Sequence, residues 1–278
     1  MECVFKPVEN VLSLEPILTK RLPVSANIYN LMKLNLKWTN EHKWFTLKDP
    51  VEDDVWIVAT FFRQDYGQVV AVSRPPNAQI TPEVRSAFSN CEFLDWAESF
   101  MFACVDTTVS SMASDISIRE KGNCTEVHPC YLYIMEPKDA LELKIPSGNY
   151  EVKPINNKEG LEFFLKTWKY ATEGSSDYVG KCLQRNVSAG VYTNNEIVTG
   201  VNLDGLGLIG MLYSLNEIRG KGYGRLVMHQ IIKESAASQF VPSCTVELRN
   251  DISMAFQEKI GLKIAAEVDF IMYNKTGF

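Results

Sequence analysis

The chain has 278 residues, of which 46% are hydrophobic and 22% are charged. This length corresponds to about two domains of average size and can bury a sizeable core. The composition is that of an ordinary globular protein, which excludes a disordered, collagenous or low-complexity chain. The 28 basic and 34 acidic residues give a formal net charge of −6. Because gripping a nucleic-acid backbone requires a basic surface, we expect no nucleic-acid partner.

Hydropathy predicts a soluble protein. The longest apolar runs, residues 55–62 and 206–215, are shorter than the roughly 18–20 residues of a membrane-spanning helix. Residues 1–7 lack the charged and apolar segments of a secretory signal, and Glu2 and Glu9 argue against an acid-poor transit peptide. We therefore expect a cytoplasmic location and no membrane partner.

The cysteines and histidines are scattered along the chain. The seven cysteines are odd in number and form no C-x-x-C pair, so they predict neither a disulfide framework nor a zinc knuckle. Only three histidines are present: His42, His128 and His229. We expect a reducing compartment and no metal site.

The first half of the chain is predicted to be rich in strands. Helices are predicted over residues 12–22, with Pro16 in the first turn, from Thr81, and over residues 94–104. Strands are predicted over residues 44–47, 55–62, 68–72 and 130–135, after a loosely alternating stretch over residues 27–36.

A polar cluster of Pro, Gly and Ser at residues 144–149 divides the sequence. It predicts two domains, residues 1–145 and 146–278. In the second domain, strands are predicted over residues 150–154, 189–192, 197–203, 206–215, 244–248, 264–266 and 268–273. Helices are predicted over residues 158–170, 176–186, 223–237 and 251–259. This order predicts an α/β layer with a central parallel β-α-β unit.

The sharpest motif lies between a strongly apolar strand and an amphipathic helix, and reads Arg219-Gly220-Lys221-Gly222-Tyr223-Gly224. Its glycines let backbone N–H groups converge at a helix N-terminus, where the unsatisfied donors and the helix dipole favour a phosphate or pyrophosphate. Arg219 and Lys221 add positive charge. A plain flexible turn, in which the glycines only cap the helix, is the alternative interpretation.

Two other phosphate-binding motifs fail at this part of the sequence. A Walker A loop requires Gly-Lys at the fifth and sixth positions after its first glycine, but Arg225 lies five residues after Gly220. The pattern G-x-G-x-x-G does occur at Gly205, Gly207 and Gly210, but a strand follows it instead of a helix. Asp204-Gly205 predicts a tight hairpin turn. A dinucleotide-dependent oxidoreductase is therefore disfavoured.

The second half resembles the acyl-CoA core of the GNAT superfamily of N-acyltransferases. The resemblance rests on the strand at residues 211–215, Arg219-x-x-Gly222-x-Gly224, Asn250-x-x-Ser253 and Gly261-Leu262. The whole chain also resembles the glycine N-acyltransferase-like family, through residues 14–25 and 214–219. The resemblance implies a tandem of two GNAT-like folds, each with a mixed sheet flanked by helices. The N-terminal half is degenerate, because it lacks the glycine loop and would not bind CoA.

The resemblance also implies a set of binding residues and ligands. The residues that would bind the CoA pyrophosphate are Arg219, Gly220, Lys221, Gly222, Tyr223 and Gly224. The backbone of Leu212, Tyr213 and Ser214 would pair with the pantetheine arm, as an added strand does. Asn250 would lie on the CoA side or cap the following helix. The co-substrate would be acyl-CoA or acetyl-CoA and the acceptor a small amine, and the family also allows a mitochondrial location and a homodimer.

The sequence departs from the family at the acid–base groups. The reaction would be attack of a neutral amine on a thioester whose oxyanion is stabilised by backbone N–H groups. The family's glutamate and tyrosine correspond here to Leu208 and Gln257, so both usual groups are missing. This departure leaves a non-catalytic acyl-CoA-binding or regulatory protein as the alternative function.

Glu247 is the candidate catalytic base. It lies in a predicted central parallel strand, where a carboxylate covered on both faces should have a perturbed pKa. The alternative is that Glu247 lies beyond the site and pairs with solvent or with Arg249. In that case catalysis would rest on positioning alone.

Overall fold

The computed structural model describes residues 4–39, 41–47, 54–145, 150–155 and 157–276. It divides into two compact units. Unit 1 comprises Met1–Leu132 with Ala265–Phe278, and unit 2 comprises Tyr133–Ile264. Most of the polar cluster used to divide the sequence, residues 146–149, lies outside the described residues. The division into domains 1–145 and 146–278 stays a prediction.

The helices and strands follow one another in two similar series. The strands are β1 (Phe5–Pro7), β2 (Lys43–Leu47), β3 (Trp56–Arg63), β4 (Gly67–Ser73), β5 (Phe100–Asp106), β6 (Glu126–Ile134), β7 (Glu151–Lys153), β8 (Ser188–Thr193), β9 (Glu196–Leu203), β10 (Ile209–Ser214), β11 (Ser243–Glu247) and β12 (Lys263–Tyr273). The helices are α1 (Glu15–Lys20), α2 (Ala26–Leu34), α3 (Pro82–Ser89), α4 (Thr107–Asp115), α5 (Pro137–Glu142), α6 (Asn157–Thr167), α7 (Ser175–Arg185), α8 (Tyr223–Ala237) and α9 (Asp251–Ile260).

Unit 1 is built on a sheet in which β1 to β5 follow one another in order. The neighbouring strands are antiparallel, except that β4 and β5 pair in parallel over residues 68–70 and 100–102. The C-terminal strand β12 pairs antiparallel with β5. The core beneath this sheet is aromatic, with Trp56, Phe88, Phe100 and Phe102 all at most 2% exposed.

One prediction for the first half is wrong. Residues 27–34 of the loosely alternating stretch, to which no element was assigned, lie in helix α2, because Ile28, Leu31 and Met32 recur at helical spacing and are fully buried. Residues 94–104, predicted as a helix, end in strand β5. All of its residues from 100 to 105 are buried, so the apolar run is continuous and shows no strand alternation.

Unit 2 contains a four-stranded antiparallel sheet with the order β10-β9-β8-β7. Successive residues of a strand point to opposite faces. A Cβ built at Gly200 would lie 2.9 Å from Phe163 of α6, whereas its neighbour Thr199 hydrogen-bonds to Ser214 at 3.0 Å, beside Gly224 of α8. Helices α6 and α8 therefore cover opposite faces. The order of elements confirms the α/β layer predicted for this half.

Candidate functional site

The edge strand β10 is interrupted by a bulge. Its register with β9 passes from Gly210, opposite Asn202, directly to Tyr213, opposite Gly200. Met211 lies between them with a φ of 57°, a left-handed conformation that non-glycine residues rarely adopt. A bulge re-aims the strand and leaves backbone groups outside the ladder. Leu212 is thus placed where its backbone can meet a ligand.

A slot separates β10 from β11. The two strands lie side by side in unit 2 but belong to different sheets. Helix α8 joins β10 to β11, as in the predicted β-α-β unit, but over the described residues the two strands form no ladder with each other. An unpaired strand edge is a template for an extended ligand that offers amide groups. The backbone of Leu212, Tyr213 and Ser214 lines this edge.

The predicted glycine loop follows β10 and opens helix α8. Gly220 and Gly222 have φ values of 79° and 84°, and a Cβ built at either would meet no described atom within 4 Å. Gly222 is the N-cap residue, and no side chain of the described residues caps this helix end. The helix thus begins beside open space without a side-chain cap, which is an arrangement that can receive a phosphate.

Gly224 allows α8 to begin close to the slot. A Cβ built there would lie 3.7 Å from both Ser214 Oγ and the ring of Phe256, which are ordinary contacts. The ring of Tyr223 lies 6.1 Å from that of Tyr150, in an edge-to-face arrangement. These contacts fix the start of the helix against β10 and α9.

Arg219 ties the loop to the end of β10. Its Nε donates a hydrogen bond to Ser214 O at 3.1 Å, and its guanidinium carbon lies 5.2 Å from the centre of the Tyr213 ring. Lys221 is exposed two residues further on. The two cations therefore flank the N-terminus of α8. A pyrophosphate bound at this helix end would be attracted by both positive charges and by the helix dipole.

Asn250 caps helix α9, as one of its two interpretations predicted. Its Oδ1 accepts a hydrogen bond from the N–H of Ser253 at 3.1 Å. An N-cap of this kind stabilises a helix by about 1 kcal/mol. Contact of Asn250 with CoA is compatible with the cap and stays a prediction.

Glu247 occupies the last position of β11, and the expectation of a covered carboxylate in a central strand is wrong. Its side chain is 31% exposed, and Lys169 Nζ lies 2.9 Å from Oε2. The hydroxyl of Tyr170 donates to Oε1. The carboxylate is thus held by the segment after α6. A role as catalytic base stays a prediction.

The residues at the positions of the missing acid–base groups are buried. Leu208 is 2% exposed and Gln257 is 7% exposed. The Oε1 atom of Gln257 has no hydrogen-bond partner among the described residues.

Cys244 in β11 is also buried, and burial raises the pKa of its thiol to about 12, which leaves the thiol protonated at neutral pH.

Asp204, for which the sequence predicts only a place in a turn, lies beside β10. Asp204 N–H donates to Leu208 O at 2.8 Å, which confirms the predicted hairpin turn. Its Oδ1 accepts hydrogen bonds from the N–H groups of Leu206 and Leu208, both at 2.9 Å. In the sequence, the Asp-Gly pair predicts that Asp204 lies in a turn. It does not predict the direction in which the Asp204 carboxylate points.

The segment after β4 in unit 1 differs from the glycine loop of unit 2. After β4 the chain reads Arg74-Pro75-Pro76-Asn77, and the two prolines have no N–H to offer a phosphate. Arg74 Nε donates to Asp106 Oδ2 at 2.9 Å. A cavity of about 270 Å³ lies at this end of β4, where Arg21 donates to the carbonyl oxygen of Ser73. The arginines here are held by the protein itself.

The described residues offer neither a cluster of metal ligands nor a membrane-spanning helix. Among the residues that the structure describes, no three His, Cys, Asp or Glu side chains are grouped so as to hold a metal ion. Every helix within the described ranges is too short or too polar to cross a bilayer.

The bulged edge strand, the unpaired slot, the glycine loop and the repeated series of elements define a tandem GNAT fold. Residues 188–271 match the family model described as FR47-like protein. This match covers β8 to most of β12 and includes the whole candidate site. Comparison with curated proteins gave no significant match.

Solved structures share this fold at low sequence identity. A Drosophila protein aligns over 99% of both chains, with a TM-score of 0.83 and 16% identity. A tandem GNAT protein from the clavulanic acid biosynthesis pathway aligns over 98% of both chains, with a TM-score of 0.55 and 11% identity. A putative acetyltransferase from Pyrococcus horikoshii aligns over 97% of this chain and 88% of its own, with a TM-score of 0.55 and 9% identity. The matches give no support to the narrower glycine N-acyltransferase-like family.

Proposed function

We propose that this protein transfers an acyl group from acyl-CoA or acetyl-CoA to the amine of a small acceptor, such as glycine or another amino acid. The observation that carries the proposal is the slot between β10 and β11, which leads directly to the uncapped N-terminus of α8. A single extended ligand with an amide-bearing arm and a pyrophosphate fits both features. The GNAT fold supports the same activity.

In this proposal each part of the site has one task. The N–H groups at the start of α8, with Arg219 and Lys221, bind the pyrophosphate. The β10 edge pairs with the pantetheine amides, and the backbone N–H of Leu212 in the bulge stabilises the oxyanion of the tetrahedral adduct. The amine nitrogen bonds to the acyl carbon and the C–S bond breaks, which gives an amide and the CoA thiol. Holding the amine next to the acyl carbon in the geometry for attack supplies most of the rate enhancement.

A second function is favoured by two buried residues. Leu208 and Gln257 stand where the resemblance expects acid–base groups, and both are covered by the protein. A protein that binds acyl-CoA without turning it over would need neither group. Such a protein would bind CoA through the same slot and would have a regulatory or carrier role.

Calorimetry and a turnover assay test these functions. We expect one CoA to bind per chain, because the glycine loop and the unpaired slot both lie in unit 2 and the described part of unit 1 shows no second set. Loss of thioester absorbance is then followed with acetyl-CoA and a panel of amines including glycine, a readout that the exposed thiol of Cys124 does not disturb. Turnover with an amine supports the transferase, and CoA binding without turnover on any amine supports the second function. Absence of CoA binding contradicts both.

A further inference from the structure

Helix α6 lies close to the sheet of unit 2, because glycines lie on both sides of the layer between them. A Cβ built at Gly160 of α6 would lie 2.3 Å from the side chain of Ile155, and one at Gly190 in β8 would lie 2.8 Å from it. At Gly200 in β9, a Cβ would lie 2.9 Å from Phe163 and 3.0 Å from Ile155. Ile155 is 3% exposed. Its side chain and the ring of Phe163 therefore fill the layer that side chains at the glycines would occupy.

Phe163 stands beside the bulge of β10. Its ring covers Gly200, which is directly opposite Tyr213, the residue at which β10 returns to the ladder after the bulge. The rings of Phe163 and Tyr213 lie 6.3 Å apart at an interplanar angle of 69°, in an edge-to-face arrangement. Both residues are partly exposed, whereas the neighbouring Phe164 is fully buried. Phe163 and Tyr213, called the aromatic pair below, therefore meet solvent next to the bulge.

The bulge is open to a ligand on the face of α6. Met211 and Leu212 are partly exposed, in contrast to Ile209 at the start of the strand, which is 4% exposed. Helix α8 packs on the other face of β8, β9 and β10, and its residues Leu226 and Val227 are at most 2% exposed. A chain that continues from the bulge is therefore blocked by α8 on one face, and its path leads past the aromatic pair on the other.

The acyl chain would follow this path. In the proposed function the acyl carbon is held at the bulge, so the methyl group of an acetyl lies beside Leu212. Each further methylene of a longer chain would have to enter the space of the Phe163 ring. The ring cannot move toward the sheet, because the backbone of Gly200 and the side chain of Ile155 are already in contact there. It would have to turn out into water, which exposes apolar surface and is unfavourable.

We propose that the aromatic pair restricts the acyl group to short chains such as acetyl and propionyl, an inference that rests on the proposed function. Phe163 is the specificity-determining residue, because its ring closes the one face of the bulge that α8 leaves open. Neither ring takes part in the chemistry. The co-substrate is thus a short-chain acyl-CoA, and a long chain such as octanoyl is excluded.

Calorimetric titration of acetyl-CoA and octanoyl-CoA into the whole protein tests this restriction without requiring turnover. We expect octanoyl-CoA to bind the wild type about 10-fold more weakly than acetyl-CoA, because forcing methylenes into a filled site is unfavourable. Phe163→Ala removes the ring, and Phe163→Leu keeps a smaller apolar side chain over Gly200, which preserves folding. We expect both variants to bind octanoyl-CoA at least as tightly as acetyl-CoA.

Tyr192→Leu is the matched control, because it exchanges another partly exposed aromatic residue for leucine, in β8, two strands away from β10. It should keep the preference of the wild type for acetyl-CoA. Equal binding of the two acyl-CoAs to the wild type, or an unchanged preference in Phe163→Leu, would overturn the acyl restriction. Phe163→Leu decides the matter if Phe163→Ala does not fold.

Titration of CoA without an acyl group reports on the proposed function. Failure of CoA and of both acyl-CoAs to bind the wild type would overturn that function and the acyl restriction together. Binding of CoA without the expected preference for acetyl-CoA would overturn the acyl restriction alone.

Discussion

Asp204 and Leu208 are joined by two hydrogen bonds across the turn that precedes β10. The N–H of Asp204 donates to the carbonyl oxygen of Leu208 at 2.8 Å, and the N–H of Leu208 donates to Asp204 Oδ1 at 2.9 Å. Leu208 stands where the resemblance to the family expects a glutamate, and its side chain is buried. A carboxylate is nevertheless present, contributed by the residue across the turn.

Restoring the glutamate should harm the protein. Leu208→Glu would bury a carboxylate among apolar atoms and beside the negative charge of Asp204, so we expect the free energy of unfolding to fall by about 3 kcal/mol or more. We expect no gain in kcat. Urea denaturation and the turnover assay measure these quantities. Leu208→Met, which conserves volume, is the control and should change stability by less than about 1.5 kcal/mol. A stable Leu208→Glu protein with a raised kcat would contradict this account.

The glycine loop can be tested with a pair of equally strained glycines. Gly222 and Gly122 have φ values of 84° and 77°, and a Cβ at either would meet no described atom within 4 Å. Each alanine variant should therefore lose about 1–2 kcal/mol of stability through the left-handed backbone alone. Only Gly222→Ala should also lose CoA affinity, because its methyl group would enter the space before the N-terminus of α8.

Calorimetric titration of CoA into the two variants separates strain from binding. The Gly122→Ala protein should bind CoA as the wild type does, since Gly122 lies in unit 1. Equal CoA affinity for both variants would show that Gly222 serves only to turn the chain.

Local signals in the sequence predicted the loop and the elements around it. The hairpin at Asp204, the glycines before α8 and the cap at Asn250 each depend on residues within a few positions of one another. The opposition of Asn202 and Gly210 depends on strand register, and the pairing of β12 with β5 joins distant parts of the chain. The partners of Glu247 could not be predicted from the sequence, because Lys169 and Tyr170 lie almost 80 positions away from it. Contacts between residues that are distant in the sequence depend on the folded structure, so local sequence patterns do not predict them.

Stability should depend on the protonation of His229. Burial in α8 lowers the pKa of His229, a hydrogen bond between Nδ1 and the carbonyl oxygen of Lys144 raises it in part, and nearby Arg225 lowers it further. The pKa in the folded protein is therefore below the ordinary value of about 6.5. The unfolded chain binds the proton first, so stability is complete above pH 6.5 and falls as the pH drops below it.

Urea denaturation at pH 7.5 and at pH 5.5 checks this dependence. Other groups titrate in the same range, so the informative quantity is the difference between the wild type and His229→Gln. Gln retains a donor and an acceptor but does not titrate in this range. We expect the wild type to lose more stability than the variant between the two pH values. Equal losses in the two proteins would rule out the contribution of His229.

Glu247→Gln tests whether this carboxylate accepts the proton of the amine. A positioned proton acceptor contributes about 10²- to 10⁴-fold to the rate. Both carboxylate oxygens of Glu247 are engaged, by Lys169 at 2.9 Å and by the hydroxyl of Tyr170. We therefore expect Glu247→Gln to lower kcat by less than about tenfold. Because the neutral fraction of an amine rises tenfold per pH unit below its pKa, the rate of the wild type should rise with the same slope.

Lys169→Met is the matched variant, since it removes the cation that pairs with Glu247 and leaves the carboxylate in place. If Glu247 acts only by holding the segment after α6, the two variants should change kcat by similar small factors and leave the pH profile unaltered. A loss of 10²-fold or more in Glu247→Gln alone, together with the disappearance of an acidic plateau in the pH profile, would instead assign the base to Glu247.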